Sequence, residues 1–156
     1  MKNFILILTG LSIAFFTPGC TKTEKADTNL YKHRPVTAAK KEVYDFFVVC
    51  EKAIEEQNLD KYLACYNDGA KVKISKGDGE SPMVTKAGYR NHLKGGAFSE
   101  MQSRQLRDPQ IFVYGNKASV KCSKILDEET VQRLDYRLVK DRDQWSIIRL
   151  DYKMMK

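Results

Sequence analysis

From Lys41 onward, Val43, Phe46, Phe47, Cys50, Ala53, Ile54 and Gln57 recur at spacings of three and four, and all but Gln57 are apolar. That period predicts one amphipathic helix of about four turns with a single buried stripe. Asn58 interrupts it and is suited to cap a second, shorter helix, in which Leu59, Tyr62, Leu63 and Tyr66 share a face. In "AKVKIS" the period changes to two. Ala70, Val72 and Ile74 alternate with Lys71 and Lys73, so a strand with one buried and one wet face is expected. A loop, "KGDGESPMV", leads to Thr85, a cap for the helix "KAGYRNHLK", which Gly95 and Gly96 stop. Everything after that reads as sheet. "RDPQIFVY" and "KASVKCSKIL" flank Gly115 and Asn116, a turn pair suited to a tight hairpin, and "TVQRLDYRLVK" and "QWSIIRLDYKMM" flank a charged "DRD" turn. Leu134, Tyr136 and Leu138 share one face, as do Ile148, Leu150, Tyr152 and Met154 on the last strand. Three N-terminal helices followed by a long, curved, mostly antiparallel sheet make an α+β domain whose helices cover one concave face.

Ahead of this domain the pattern is different. Lys2 supplies a positive start, and Phe4 to Phe16 are apolar except for Thr9, Gly10 and Ser12. At 1.5 Å per residue such a helical run reaches about 20 Å, short of the roughly 30 Å hydrocarbon core, so it reads as a signal peptide and not a membrane span. The small residues of "TPGC" then resemble the lipobox of bacterial lipoproteins, in which a cysteine becomes the first mature residue and carries acyl groups such as palmitate. Gly19 and Cys20 fit that pattern; Thr17 stands where an aliphatic residue is usual, and Pro18 is uncommon there. The other reading is ordinary cleavage that leaves Cys20 as a free or disulfide-bonded thiol. Residues 21–40, "TKTEKADTNLYKHRPVTAAK", are polar and charged and read as a stalk. The division expected is therefore 1–19 signal peptide, 20–40 lipidated cysteine and flexible tether, and 41–156 folded domain, in a protein anchored by Cys20 to a membrane of the bacterial cell envelope.

Composition narrows the partners. The chain of 156 residues carries a formal charge of +7, and loss of Met1 to Gly19, which contain one lysine, leaves +6. So modest a surplus suits anionic surfaces and is no signature of nucleic-acid binding. With Cys20 acylated, Cys50, Cys65 and Cys122 remain, an odd number that permits at most one internal disulfide. Cys50 and Cys65 sit on neighbouring predicted helices and would bridge if their faces met; the reading favours small buried hydrophobes over a bridge. No Cys-x-x-Cys occurs, and the two histidines, His33 and His92, lie apart from the cysteines, so no metal site and no cofactor is expected.

The order helix, short helix, "YNDGAKVKI", a helix after a glycine-containing loop, "IFVYGNKASVKC" and a final strand opening on "QWSIIRL" resembles the nuclear transport factor 2-like superfamily over residues 41–154. The resemblance implies a cone of helices packed on a curved sheet. It does not imply an activity, because the superfamily includes isomerases, dehydratases, cyclases, oxygenase subunits and plain binding or dimerisation modules. In its ketosteroid isomerase branch an aspartate base lies on the first strand, and a tyrosine and a protonated carboxylic acid bind the oxyanion. The resemblance puts those three positions on Ile74, Cys50 and Leu134, none of which can play its part, with Asp135 one residue away and expected on the exposed face.

Other catalytic sets are not apparent. His92 reads as a helix-surface residue, Cys122 as an interior thiol, and "GDGE" as a turn lacking the repeated acids of a calcium loop. The basic set Lys117, Lys121, Lys124, Arg133, Arg137 and Arg149 reads as one solvated sheet face. What remains is a domain rich in tyrosine, suited to an apolar pocket with polar handles. The function expected is binding of a small apolar ligand, with Cys50, Tyr66, Ile74, Cys122, Leu134 and Tyr136 as candidate pocket residues. The alternatives are an interaction module that forms a homodimer through the sheet, and an enzyme of isomerase or dehydratase type.

Overall fold

The computed structural model describes residues 30–73, 82–101, 106–125 and 131–155. The leader, Cys20 and Ile74 lie outside the described residues. Thr37 opens helix α1 (Ala38–Glu55), its Oγ1 accepting the Lys40 backbone N–H at 3.3 Å, so the helix begins one turn earlier than its apolar stripe suggests. Beyond its last turn Gln57 takes a left-handed φ of +50° and is exposed, and does not extend the stripe. Asn58 caps α2 (Leu59–Ala64) through Oδ1 to the Lys61 N–H at 3.0 Å, and Thr85 caps α3 (Lys86–His92) through Oγ1 to the Gly88 N–H at 3.2 Å. A wide turn over Leu93–Ala97 follows, with Gly96 at φ +113°.

Six strands form one sheet in the order β2-β1-β6-β5-β4-β3: β1 (Tyr66–Lys73), β2 (Met83–Thr85), β3 (Leu106–Tyr114), β4 (Lys117–Ile125), β5 (Val131–Asp141) and β6 (Gln144–Met155). Every pair is antiparallel except β1–β6. Two helices, not three, precede the first strand. Met83, Val84 and Thr85 pair with Lys73, Val72 and Lys71, which puts a strand between β1 and α3; at three residues it is too short to show alternation.

One face of the sheet is the core. Rows Ala118–Leu138–Ile147, Val120–Tyr136–Leu150 and Cys122–Leu134–Tyr152 cross β4, β5 and β6, and α1 lays Val43, Phe47, Cys50 and Ile54 over them. Phe47 meets Tyr136 edge to face with ring centroids 4.9 Å apart. Each large side chain so buried contributes about 1.5–3 kcal/mol. On β6 the expected face is corrected. Arg137 pairs with Arg149 but Leu138 pairs with Ile147, so Ile148 is an extra residue that bulges outward to 36% exposure while Ile147 turns inward. Upstream, Leu30 in a short 3₁₀ turn (Leu30–Lys32) is 1% exposed within the core, so the packed body starts before the boundary expected at Lys41.

Candidate functional site

Between the helices and the inner sheet face lies a cavity of about 250 Å³. Helix α1 supplies Phe47, Cys50, Glu51 and Ile54; α2 supplies Tyr62; α3 and the turn after it supply Tyr89, His92 and Leu93; the sheet supplies Leu106, Lys124, Gln132, Leu134, Tyr136, Ile147 and Tyr152. An engineered cavity of roughly 150 Å³ holds benzene, so this one has room for a ring with a short chain.

Its polar groups are few and ordered. Four phenol hydroxyls form a chain: Tyr66 to Tyr62 at 2.9 Å, Tyr62 to Tyr89 at a longer 3.5 Å, and Tyr89 to Tyr152 at 2.8 Å. Burial pushes the pKa of all four well above the ordinary tyrosine value, so each keeps its proton. Four protons serve three bonds, and one donor is left over. Tyr66 is 2% exposed and does not line the cavity, so an idle donor there would be a buried unsatisfied group. The chain is better satisfied running from Tyr66 through Tyr62 and Tyr89 to Tyr152, whose proton then serves the cavity. Tyr136 lines the same space, and its hydroxyl makes no hydrogen bond among the described residues.

The other polar edge carries charge. Glu51 is 5% exposed although α1 is otherwise apolar on that face, and Lys124 stands between Leu106 and Gln132 on the inner side of β4. Burial holds the Lys124 ammonium below the usual lysine range, and the Glu51 carboxylate partly opposes that shift. Lys124 therefore does not belong to the solvated basic face expected for it. The remaining strand cations do, with Arg137 paired to Asp135 at 3.3 Å and Arg149 to Asp151 at 2.7 Å.

Of the candidate pocket residues, Cys50, Leu134 and Tyr136 line the cavity. Tyr66 sits behind it at the head of the hydroxyl chain, and Cys122 is buried in the same sheet row as Leu134 without lining it. Ile74 lies outside the described residues. Cys50 is bonded to Cys65, with Cα atoms 6.2 Å apart, which overturns the preference for two separate thiols. The bridge forms because Cys65, at the end of α2, is held beside α1 while its carbonyl accepts the Ile147 N–H at 2.8 Å. Asp135 faces outward and Leu134 inward, so the one-residue alternative at the second oxyanion position falls on the outer face. His92 is half-buried against the cavity with its ring stacked on Tyr89, not a free surface residue. Glu51, Lys124 and Gln132 were missed, although Lys124 continues the inward phase of Ala118, Val120 and Cys122, and Glu51 lies four residues after Phe47.

No protein-family model matches the chain, and no curated protein matches it. Solved structures do. A nuclear transport factor 2-like protein of unknown function from Pseudomonas putida is 16% identical with a TM-score of 0.55, over 74% of this chain and 86% of that one. A second, from Shewanella baltica, is 8% identical with a TM-score of 0.60 over 80% and 99%. The CaMKII hub of S. rosetta is 14% identical with a TM-score of 0.57 over 78% and 100%. At such identities the likeness is one of architecture: the domain has the nuclear transport factor 2-like fold.

Proposed function

We propose that this is an exported, lipid-anchored binding protein for a small, largely apolar molecule that carries an acceptor oxygen. The observation behind it is the apolar cavity whose hydroxyl chain has one proton more than it needs. A carbonyl, ether or hydroxyl oxygen at Tyr152 completes that chain, while the ring walls of Phe47 and Tyr136 take the apolar body. Binding is favoured over turnover because, of the three positions the isomerase resemblance singles out, Cys50 is held in a disulfide and Leu134 is apolar. Export and anchoring rest on the leader and Cys20, and the Cys50–Cys65 bridge supports an oxidising compartment.

Native mass spectrometry of the protein purified from its own envelope is the test. An added mass that leaves on denaturation, and that is lost or weakened about tenfold in Tyr152→Phe, is the result expected. That ratio corresponds to one hydrogen bond of about 1.4 kcal/mol. Unchanged occupancy in Tyr152→Phe would overturn the role of the hydroxyl chain.

A further inference from the structure

Lys124 is the one lysine whose place in the alternation of β4 sends it inward. It shares the cavity with Glu51 from α1, His92 from α3, Gln132 beside it on β5 and Tyr152 on β6. Among the described residues its ammonium has no hydrogen-bonding partner. A half-buried amine that shares one cavity with a carboxylate and a surplus phenol proton has three of the parts that carbonyl condensation needs: a nucleophile, a proton carrier and an acid for the oxygen.

We propose that the cavity captures carbonyl compounds covalently, as an imine on Lys124 Nζ. This rests on the binding reading above and assigns the ligand's chemical class, an aldehyde or ketone borne on a small apolar body. The Nζ lone pair adds to the carbonyl carbon, the π pair moves to oxygen, and that oxygen takes a proton while nitrogen gives one up. The carbinolamine then loses its oxygen as water, the Glu51 carboxylate relaying to that oxygen the proton that leaves nitrogen, and the nitrogen pair closes the C=N bond. Amine and carbonyl give imine and one water, with no oxidant or reductant. Desolvation lowers the affinity of Lys124 for its proton, which raises the share of neutral amine above that of a solvated lysine. A carboxylate ligand fits less well, because it would meet Glu51 as well as Lys124 in a medium of low dielectric.

The test uses the whole purified protein with 3-phenylpropanal and sodium cyanoborohydride at neutral pH, followed by peptide mapping. In parallel, calorimetry measures binding of 3-phenylpropan-1-ol, which fills the same space and forms no imine. A lowered proton affinity raises the neutral fraction of an amine, so labelling of Lys124 is expected severalfold faster than of the outer-face Lys117 and Lys121. Glu51→Gln should move the labelling profile to lower pH, since removing the carboxylate removes what favours the ammonium. Lys124→Met should lose the fast label and still bind the alcohol. Equal labelling of Lys124, Lys117 and Lys121 with the alcohol bound would overturn the imine and leave the pocket standing. Equal labelling with no alcohol bound would overturn both.

Discussion

Five phenols, Tyr62, Tyr66, Tyr89, Tyr136 and Tyr152, are held protonated mainly by desolvation. Their folded pKa values lie above the unfolded value of about 10, so the stability they lend is complete below that pH and is lost as pH rises beyond it. Each group adds a slope of about 1.4 kcal/mol per pH unit, and five together about 7, comparable with the whole stability of a small domain. The expected outcome is a sharp alkaline transition within about two pH units above 10, in which tyrosinate absorbance and the fluorescence of Trp145 change together. Gradual ionisation of these phenols with the fold intact would contradict it. At this scale the site was only partly legible. A chain rich in tyrosine announces a pocket with polar handles, but the order in which Tyr66, Tyr62, Tyr89 and Tyr152 join depends on four elements, β1, α2, α3 and β6, meeting, and no local pattern contains that. Lys124 and Glu51 were readable from phase alone. Charge was taken as a sign of solvent, whereas position in the repeat was the better guide.

Helices α1 and α2 are joined by their packing and by the Cys50–Cys65 bridge, whose sequence separation is 15. Closing a loop of that size stabilises a domain by about 3 kcal/mol, chiefly through the unfolded chain. Reduction with dithiothreitol, or Cys65→Ala, is expected to lower the urea midpoint by the equivalent of about 3 kcal/mol. Because Cys50 also lines the cavity, the affinity for 3-phenylpropan-1-ol should fall with it. Identical midpoints for oxidised and reduced protein would mean that the bridge carries no such load. The elements themselves were largely legible, because three- and four-residue spacing and strict alternation are local signals, and Asn58 and Thr85 cap where expected. What alternation hid was the bulge at Ile148, where one extra residue reverses the phase, and β2, which exists only because β1 offers it an edge. The disulfide needed the relative placement of two helices, which spacing in the chain does not fix.

At the scale of the whole molecule, the outer sheet face pairs Arg137 with Asp135 and Arg149 with Asp151 within the sheet. The proposed membrane anchor at Cys20 can be tested through the cysteines of the chain. Of the four in the chain, Cys50 and Cys65 are consumed by their bridge, and Cys122 is 7% exposed with a thiol pKa pushed up by burial and by the nearby Glu51 and Asp135 carboxylates. A buried thiol of raised pKa is a poor nucleophile and a poor acceptor of acyl groups. Cells fed an alkyne fatty acid are therefore expected to label the wild type, to leave Cys20→Ser unlabelled, and to label Cys122→Ala as strongly as the wild type. The third arm matters because loss of label in Cys20→Ser alone also follows from failed export. Label that survives Cys20→Ser, or that disappears in Cys122→Ala, would place the lipid elsewhere and remove the anchor from Cys20.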